Sequence, residues 1–278
     1  MPAFLPILPN ICPFQPMYIL TTEEYLHNID LKPKSVYVVH ERVERRLPVH
    51  THTKGQLTYV EGGMAYIYID NTTYIIPARH YVWIPKGLPH FLKVRNAATV
   101  TRNLYYYTFD DDTDDFYQKL GIYPVNNLLF EMIGFTEKWA GYIEQKDPEF
   151  NFMAAIKNIL PHMSTRSFPI ALPTTLNAKL RPIILYLSQN FEQPLNLQDI
   201  AKRFGMGERT LSRLFQSTMS ISFLQYLKLL RIVKAIEMIM QGNNSTTEIA
   251  YLTGYNSVAA FSKAFHQLTN IRPSDFGK

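Results

Sequence analysis

Between Ser35 and Asp110 apolar and polar positions alternate in short runs, SVYVVHERV, GQLTYVEGG, MAYIYIDNT, YIIPARHYVWIPKG, HFLKVRN and LYYYTFD. Tyr, Ile, Val and Thr dominate them, and Gly62-Gly63 and Asp70-Asn71 read as tight turns, so an antiparallel sandwich or small barrel is expected. The acidic run Asp110, Asp111, Asp112, Asp114 and Asp115 closes this region and reads as a solvated loop or helix start. From 126 to 163 the period changes: Leu129, Met132, Ile133 and Phe135, then Phe152, Ala155, Ile156, Ile159 and Leu160, recur three and four apart, which predicts helices. Their apolar face must be buried, against the barrel or against a second subunit. Ser167 to Thr175, with Pro169 and Pro173, interrupts the helical pattern and reads as a linker. The expected organisation is a domain at 1–166, a linker at 167–175 and a second domain at 176–278.

Beyond the linker the chain repeats itself. DIAKRFGMGERTLSRLF (Asp199 to Phe215) and EIAYLTGYNSVAAFSKAF (Glu248 to Phe265) share Ile200, Ala201 and Gly205 with Ile249, Ala250 and Gly254, 49 positions on. Leu211, Ser212 and Phe215 recur 50 positions on as Phe261, Ser262 and Phe265. In each copy a short helix ends at a glycine able to turn left-handed and a second helix follows, the pattern of a helix-turn-helix. Between the copies Ser222 to Gln241 reads as one long helix offering Phe223, Leu227, Leu230, Ile236 and Ile239 for packing, with Gly242-Asn243 as its stop. Such a spacer fixes the separation of the units. At about 34 Å, one turn of B-DNA, both second helices would reach successive major grooves.

Charge sharpens this reading. Residues 171–278 hold 12 Lys+Arg against 6 Asp+Glu, a net +6, while 1–170 carry −1. A basic domain meets nucleic acid, an anionic membrane or an acidic partner, and only the repeated motif selects double-stranded DNA. With 46% apolar and 18% charged residues the chain is expected to fold as a globular protein. The single cysteine, Cys12, excludes an intramolecular disulfide and fits a reducing compartment, with the cytoplasm as the default. The start of the chain is apolar but holds five prolines in its first sixteen residues and no Lys or Arg before Lys32, so neither a signal helix nor a membrane span is expected.

Ile200, Ala201, Leu211, Ser212, Arg213, Leu214, Phe215, Arg231, Ala235, Ala250, Gly254, Tyr255, Phe261, Lys263, Phe265 and Pro273 together resemble the AraC/XylS transcription regulators over about 197–276. The chain departs from that pattern where Ser220 and Asn270 replace glycines after the second helices, and where Phe276-Gly277 replaces a terminal Tyr-Arg. Asn270 can still take the left-handed cap; Ser220 is the less comfortable substitute. The resemblance implies that the second helix of each unit faces the bases, through Arg209, Ser212 and Arg213 in the first unit and Val258, Ala259, Ser262 and Lys263 in the second. Arginine can bond O6 and N7 of guanine, and Val258 and Ala259 could touch a thymine methyl unless they face the interior. Phosphate grip is expected from Lys202, Arg203, Lys228, Lys234 and Arg272, with second-helix N-terminal amides.

In the β region His50-Thr51-His52, Gln56 and Pro85 to His90 resemble the two cupin motifs, with Gln56 standing where a carboxylate is usual. The overall expectation is an α+β chain: a cupin-like antiparallel β-barrel at about 35–110 with trailing helices, then an all-α domain of two helix-turn-helix units joined by a long helix. Positions 50 and 52 of a strand share a face, so with His90 three imidazoles could surround a divalent metal ion, although no cofactor is required. By resemblance the barrel would bind a small-molecule effector, with His50, His52, Gln56, Tyr59, Tyr66, Trp83, His90 and Tyr105 as candidate lining. A homodimer is expected, RNA polymerase is a candidate partner, and no enzymatic activity is expected. Two alternatives stay open: a metal-dependent cupin enzyme tethered to a DNA-binding module, and an architectural DNA binder without effector.

Overall fold

The structure, a computed structural model, describes residues 21–41, 47–94, 100–164 and 166–276. Cys12, the proline-rich start and Gly277 lie outside them. The chain begins its described part with a helix the apolar pattern did not predict, α1 (Thr22–Asp30), opened by a capping box in which Thr21 and Glu24 satisfy each other's backbone amides. The predicted runs form β1 (Val36–Glu41), β2 (Gly55–Glu61), β3 (Met64–Ile69), β4 (Thr72–Pro77), β5 (His80–Ile84), β6 (Phe91–Val94) and β7 (Val100–Tyr106). After them come β8 (Gly121–Pro124), α2 (Asn127–Phe135), β9 (Gly141–Ile143), α3 (Phe150–Met163) and β10 (Ala171–Pro173).

The strands make two antiparallel sheets, ordered β8-β5-β2-β7-β1-β9 and β10-β4-β3-β6. The expected barrel is therefore two facing sheets, with α2 and α3 laid on the larger one. Leu129, Ile133, Met153, Ile156 and Leu160 are buried in one cluster with Leu57, Tyr59, Trp83 and Leu104, so the helical face meets its own sheet. Each such side chain contributes about 1.5–3 kcal/mol by leaving water. The acidic run opens two short 3-10 helices, Asp111–Thr113 and Asp115–Gln118, as one of its two expected forms, but two of its residues also hold a buried lysine. Lys157, fully buried on α3, donates to Asp111 Oδ1 at 2.8 Å, to the Tyr107 carbonyl at 2.8 Å and to Asp110. Burial raises the Asp111 carboxyl and the Lys157 ammonium opposes that rise.

The segment expected as a linker is not a free tether. Phe168 and Ile170 are buried, and Ala171–Pro173 pairs with β4 in the register Ala171 to Tyr74 and Pro173 to Thr72. Pairing at a sheet edge tolerates proline, which explains why the two prolines misled the pattern.

The C-terminal part comprises α4 (Arg181–Gln189), α5 (Leu197–Arg203), α6 (Glu208–Met219), α7 (Phe223–Gln241), α8 (Thr246–Leu252) and α9 (Val258–Thr269). Leu211, Phe215 and Met219 of α6 pack with Ile183, Ile200, Tyr226 and Leu230 in a first helical core. The second core holds Ile249, Phe261 and Phe265 with Ile232 and Ile236 of α7, and it runs on into Ile67, Ile75, Phe168 and Ile170 of the β half. The two halves thus share apolar packing, and Tyr66 of β3 hydrogen-bonds Glu237 of α7. Among the described residues no helix is long and apolar enough to cross a membrane.

Candidate functional site

Each helix-turn-helix is built by the turn geometry the sequence suggested. Gly205 and Gly254 take φ of +64° and +78° after α5 and α8. Ser220 and Asn270, which stand in for glycines after α6 and α9, both adopt the left-handed conformation, at φ 57° and 60°. Asparagine's short polar side chain tolerates that region; serine enters it less readily, yet the helix ends there all the same.

With its Leu211, Phe215 and Met219 side buried, α6 turns Arg209, Ser212 and Arg213 outward. The same exposed face continues to Gln216, which sequence reasoning missed although it follows Ser212 by four residues. In α9 Ala259 and Lys263 are exposed and Ser262 is half-buried, while Val258 is half-buried and packs against the second core. Val258 therefore offers less of itself to a thymine methyl than Ala259. A groove of about 440 Å³ beside α9 is lined by Ser262, Lys263, His266, Gln267 and Arg272. His266, one turn beyond Ser262, was also missed. At the helix starts, Ser257 Oγ already accepts from the Ala260 amide, whereas α6 has no side-chain cap.

The expected phosphate contacts divide. Lys202, Arg203 and Arg272 are exposed, with the Arg203 guanidinium over the Tyr186 ring at 4.2 Å. Lys228 donates to Gln267 Oε1 at 2.9 Å and so ties α7 to α9. Lys234 does not face solvent as expected: it pairs with Glu237 at 2.9 Å in a cleft of about 260 Å³ between α7 and the smaller sheet. The spacing of α7 turned its basic side toward the β half, which no local pattern could reveal. Arg231 joins the two units, donating to the Phe191 and Gln193 carbonyls at 2.8 Å each and lying beside Gly254.

In the β half the three histidines do come together. The His50 and His90 backbones exchange both hydrogen bonds at 3.0 Å, and His52, two residues on, falls on the same side. Ring centroids are 4.6 Å apart for His50–His90, 5.1 Å for His52–His90 and 5.9 Å for His50–His52. Asp30 at the end of α1 holds the intervening loop by accepting from the Thr53 amide at 3.0 Å and its hydroxyl at 2.9 Å. Desolvation lowers all three imidazoles, His90 to about 3, so they stay neutral at physiological pH.

The expected effector lining is corrected. Tyr59 and Trp83 are core residues, 1% and 0% exposed, with Trp83 Nε1 donating to the Tyr117 carbonyl at 3.1 Å. Tyr66 points away from the histidines, toward Glu237. His50, Gln56, His90 and Tyr105 do line a cavity, together with Tyr25 and Asn103, but it measures about 30 Å³. That volume admits a water or an ion; pockets for organic ligands run to hundreds of Å³. Aromatic composition could not distinguish core from lining, because β-strand periodicity gives the face but not which face is closed.

Comparison with known proteins agrees with both halves. An AraC-like ligand-binding domain model matches residues 34–116 and a helix-turn-helix domain model matches residues 200–278. The chain is 23% identical over 218 residues to the HTH-type transcriptional regulator NimR of Escherichia coli (strain K12), covering 78% of this chain and 77% of NimR. To the HTH-type transcriptional activator RhaS of Salmonella schwarzengrund (strain CVM19633) it is 23% identical over 268 residues, covering 90% and 95%. Among solved structures, ToxT from Vibrio cholerae overlaps 87% of this chain and 97% of its own at 13% identity with a TM-score of 0.36. With an AraC-like ligand-binding domain followed by a helix-turn-helix domain, the chain is built as an AraC-type transcription regulator and is similar to such regulators along most of its length.

Proposed function

We propose that α6 and α9 enter successive major grooves of double-stranded DNA and that the β half controls this binding in response to a small ligand. The observation that carries the reading is the solvent face of α6, where Arg209, Ser212 and Arg213 stand opposite fully packed Leu211 and Phe215. A helix so anchored presents its polar side rigidly, and bidentate arginine contacts to guanine discriminate by about 1–3 kcal/mol each. In the second unit Ala259, Ser262 and Lys263 take the corresponding places, with Val258 as a lesser contact. The first unit therefore carries more of the sequence discrimination. Lys202, Arg203 and Arg272 supply phosphate grip, and Lys228 supports it by orienting α9.

Control from the β half has a physical route. The smaller sheet packs directly on α7, through Ile67, Ile75 and Phe168 against Ile232 and Ile236, so a ligand that favours one arrangement of the sheet biases the spacer helix between the two readers. The protein works where DNA is, in the cytoplasm, as a homodimer that doubles the operator, with RNA polymerase as a further partner. A regulator is favoured over a tethered metal-dependent enzyme because a cavity of about 30 Å³ leaves no room for an organic substrate beside an ion.

Selection of random duplexes with the full chain tests this reading. The expected result is a motif of two blocks about 34 Å apart. Arg209→Ala and Arg213→Ala should degrade one block, and Lys263→Ala the other or neither, while log affinity falls steeply with log salt. Enrichment of no motif with or without added metal, or a flat salt response, refutes it.

A further inference from the structure

The two helix-turn-helix units are built on opposite halves of one helix, and their apolar cores stay apart. The buried residues of α7 from Phe223 to Leu230 belong to the first core, and those from Ile232 to Ile236 to the second. Among the described residues none is a member of both. Apolar packing is non-directional, so two such cores joined through α7 alone would set the separation of α6 and α9 loosely. Arg231 stands at the joint between them.

Its guanidinium is gripped from one unit and closed against the other. On the first-unit side Nε and Nη2 donate to the Phe191 and Gln193 carbonyls at 2.8 Å each, in the connector after α4, and Phe191 itself packs against the first core. On the second-unit side the group lies against the Gly254 turn, where an added Cβ would stand 2.8 Å from Nη2 and 2.9 Å from Cζ, and over the Tyr255 ring at 5.9 Å. The Glu192 carbonyl oxygen of the connector reaches the same turn, 2.7 Å from that Cβ position. At Gly205, the equivalent turn of the first unit, an added Cβ would meet nothing within 4 Å, so the close approach is no requirement of a helix-turn-helix. It belongs to the place where the two units meet. A planar fork bonded to two carbonyls fixes orientation as well as distance, which the single ammonium of a lysine does not. One turn earlier on the same face of α7, Lys228 adds a tie to α9 through Gln267.

We propose that Arg231 is a positioning residue that fixes the separation and phase of α6 and α9, and with them the spacing between the two DNA blocks that the protein accepts. The proposal rests on the reading of α6 and α9 as the base-facing helices. In B-DNA each inserted base pair moves the second block by about 3.4 Å and turns it by about 35°. Readers held rigidly lose one block's contacts under that change, whereas readers on a loose joint follow the block. Spacing selectivity is therefore what Arg231 supplies, separately from the base contacts of either helix.

The test uses the full chain, its Arg231→Lys and Arg231→Gln variants, the two-block duplex recovered by selection with zero, one, two or five base pairs inserted between the blocks, and each block alone. The wild-type chain should lose more than about tenfold in affinity at one inserted base pair and fall to single-block affinity at five. Both variants should bind single blocks within about twofold of wild type, lose about tenfold at the native spacing, and show a penalty under about threefold for one inserted base pair. A spacing profile parallel to wild type in both variants, or a wild-type profile that is flat across the insertions, overturns the proposal. So does a salt slope lower by about one in Arg231→Gln but not in Arg231→Lys, which would make Arg231 a phosphate contact. A readout without DNA separates this from failure of the DNA reading: nitroxide labels on Gln216→Cys and His266→Cys, exposed at equivalent places on α6 and α9, in a Cys12→Ser chain. Their distance distribution should be narrow with Arg231 and broader with Arg231→Gln. Equal widths overturn the proposal whatever the duplexes do; a broader variant in a chain that binds no duplex keeps the role of Arg231 in holding the units and refutes the DNA reading instead.

Discussion

Gly205 and Gly254 occupy the same place in the two helix-turn-helix units, yet the structure assigns them different costs of substitution. Both are left-handed, at φ of +64° and +78°. A Cβ at Gly205 would meet nothing within 4 Å, whereas at Gly254 it would lie 2.7 Å from the Glu192 carbonyl oxygen and 2.8 Å from Arg231 Nη2. That oxygen cannot retreat cheaply, because Arg231 grips the carbonyls on either side of it, Phe191 and Gln193. Gly205→Ala should therefore lose only the left-handed penalty, about 1–2 kcal/mol. Gly254→Ala should lose that and an overpacking cost of about 1–3 kcal/mol, for a total of about 2–5 kcal/mol. Urea denaturation of the two variants, followed by far-ultraviolet circular dichroism, measures the difference between them, which isolates the contact from the backbone term. Because Arg231 and the 191–193 loop belong to the first unit's side of α7, the strained variant should also lose affinity for a two-block DNA site more than for either block alone. Equal destabilisation by the two substitutions would refute the reasoning, since the close approach would then carry no energy.

Two further predictions follow from buried charge. Lys157→Met leaves the Asp111 carboxylate, 1% exposed, without a counter-charge and should destabilise the chain by about 3–5 kcal/mol in chemical denaturation. Adding Asp111→Leu should recover most of it, and a single-variant loss below about 1 kcal/mol would sink the argument. His80, packed against Phe168 and Phe276 where the halves meet, is lowered by burial to about 4. The unfolded imidazole titrates near 6.5, so between those values the unfolded chain holds the extra proton; stability from this group is full above about pH 6.5 and is lost as pH falls toward 4. His80→Gln should flatten the pH dependence of melting across that window, and an unchanged slope would count against it.

Much of this protein was legible from local pattern. The strands of the β half, the helical run at 126–163 and both helix-turn-helix units follow from the period of apolar residues and the placing of glycine, because backbone hydrogen bonding and side-chain burial repeat over a few residues. The solvent face of α6 is a consequence of the same periodicity, and its continuation to Gln216 could have been read from it. The capping box of α1 was also there to be seen in Thr21 and Glu24, without an apolar stripe to draw attention to it.

What sequence could not decide is which buried face meets which. Lys157 finding Asp111, Tyr66 turning to Glu237, and β10 pairing with β4 join residues 46, 171 and about a hundred positions apart, and no local period encodes such partners. Tyr59, Trp83 and Tyr105 look alike as strand aromatics, and only the closed packing made two of them core and one the wall of a small cavity. Each of the three histidines turns its Nδ1 to a carbonyl two residues away, a local matter; the tertiary structure alone paired the His50 backbone with that of His90 and so brought the His52 and His90 rings to Gln56 Oε1, since that meeting is set by where the backbone of another segment comes to rest.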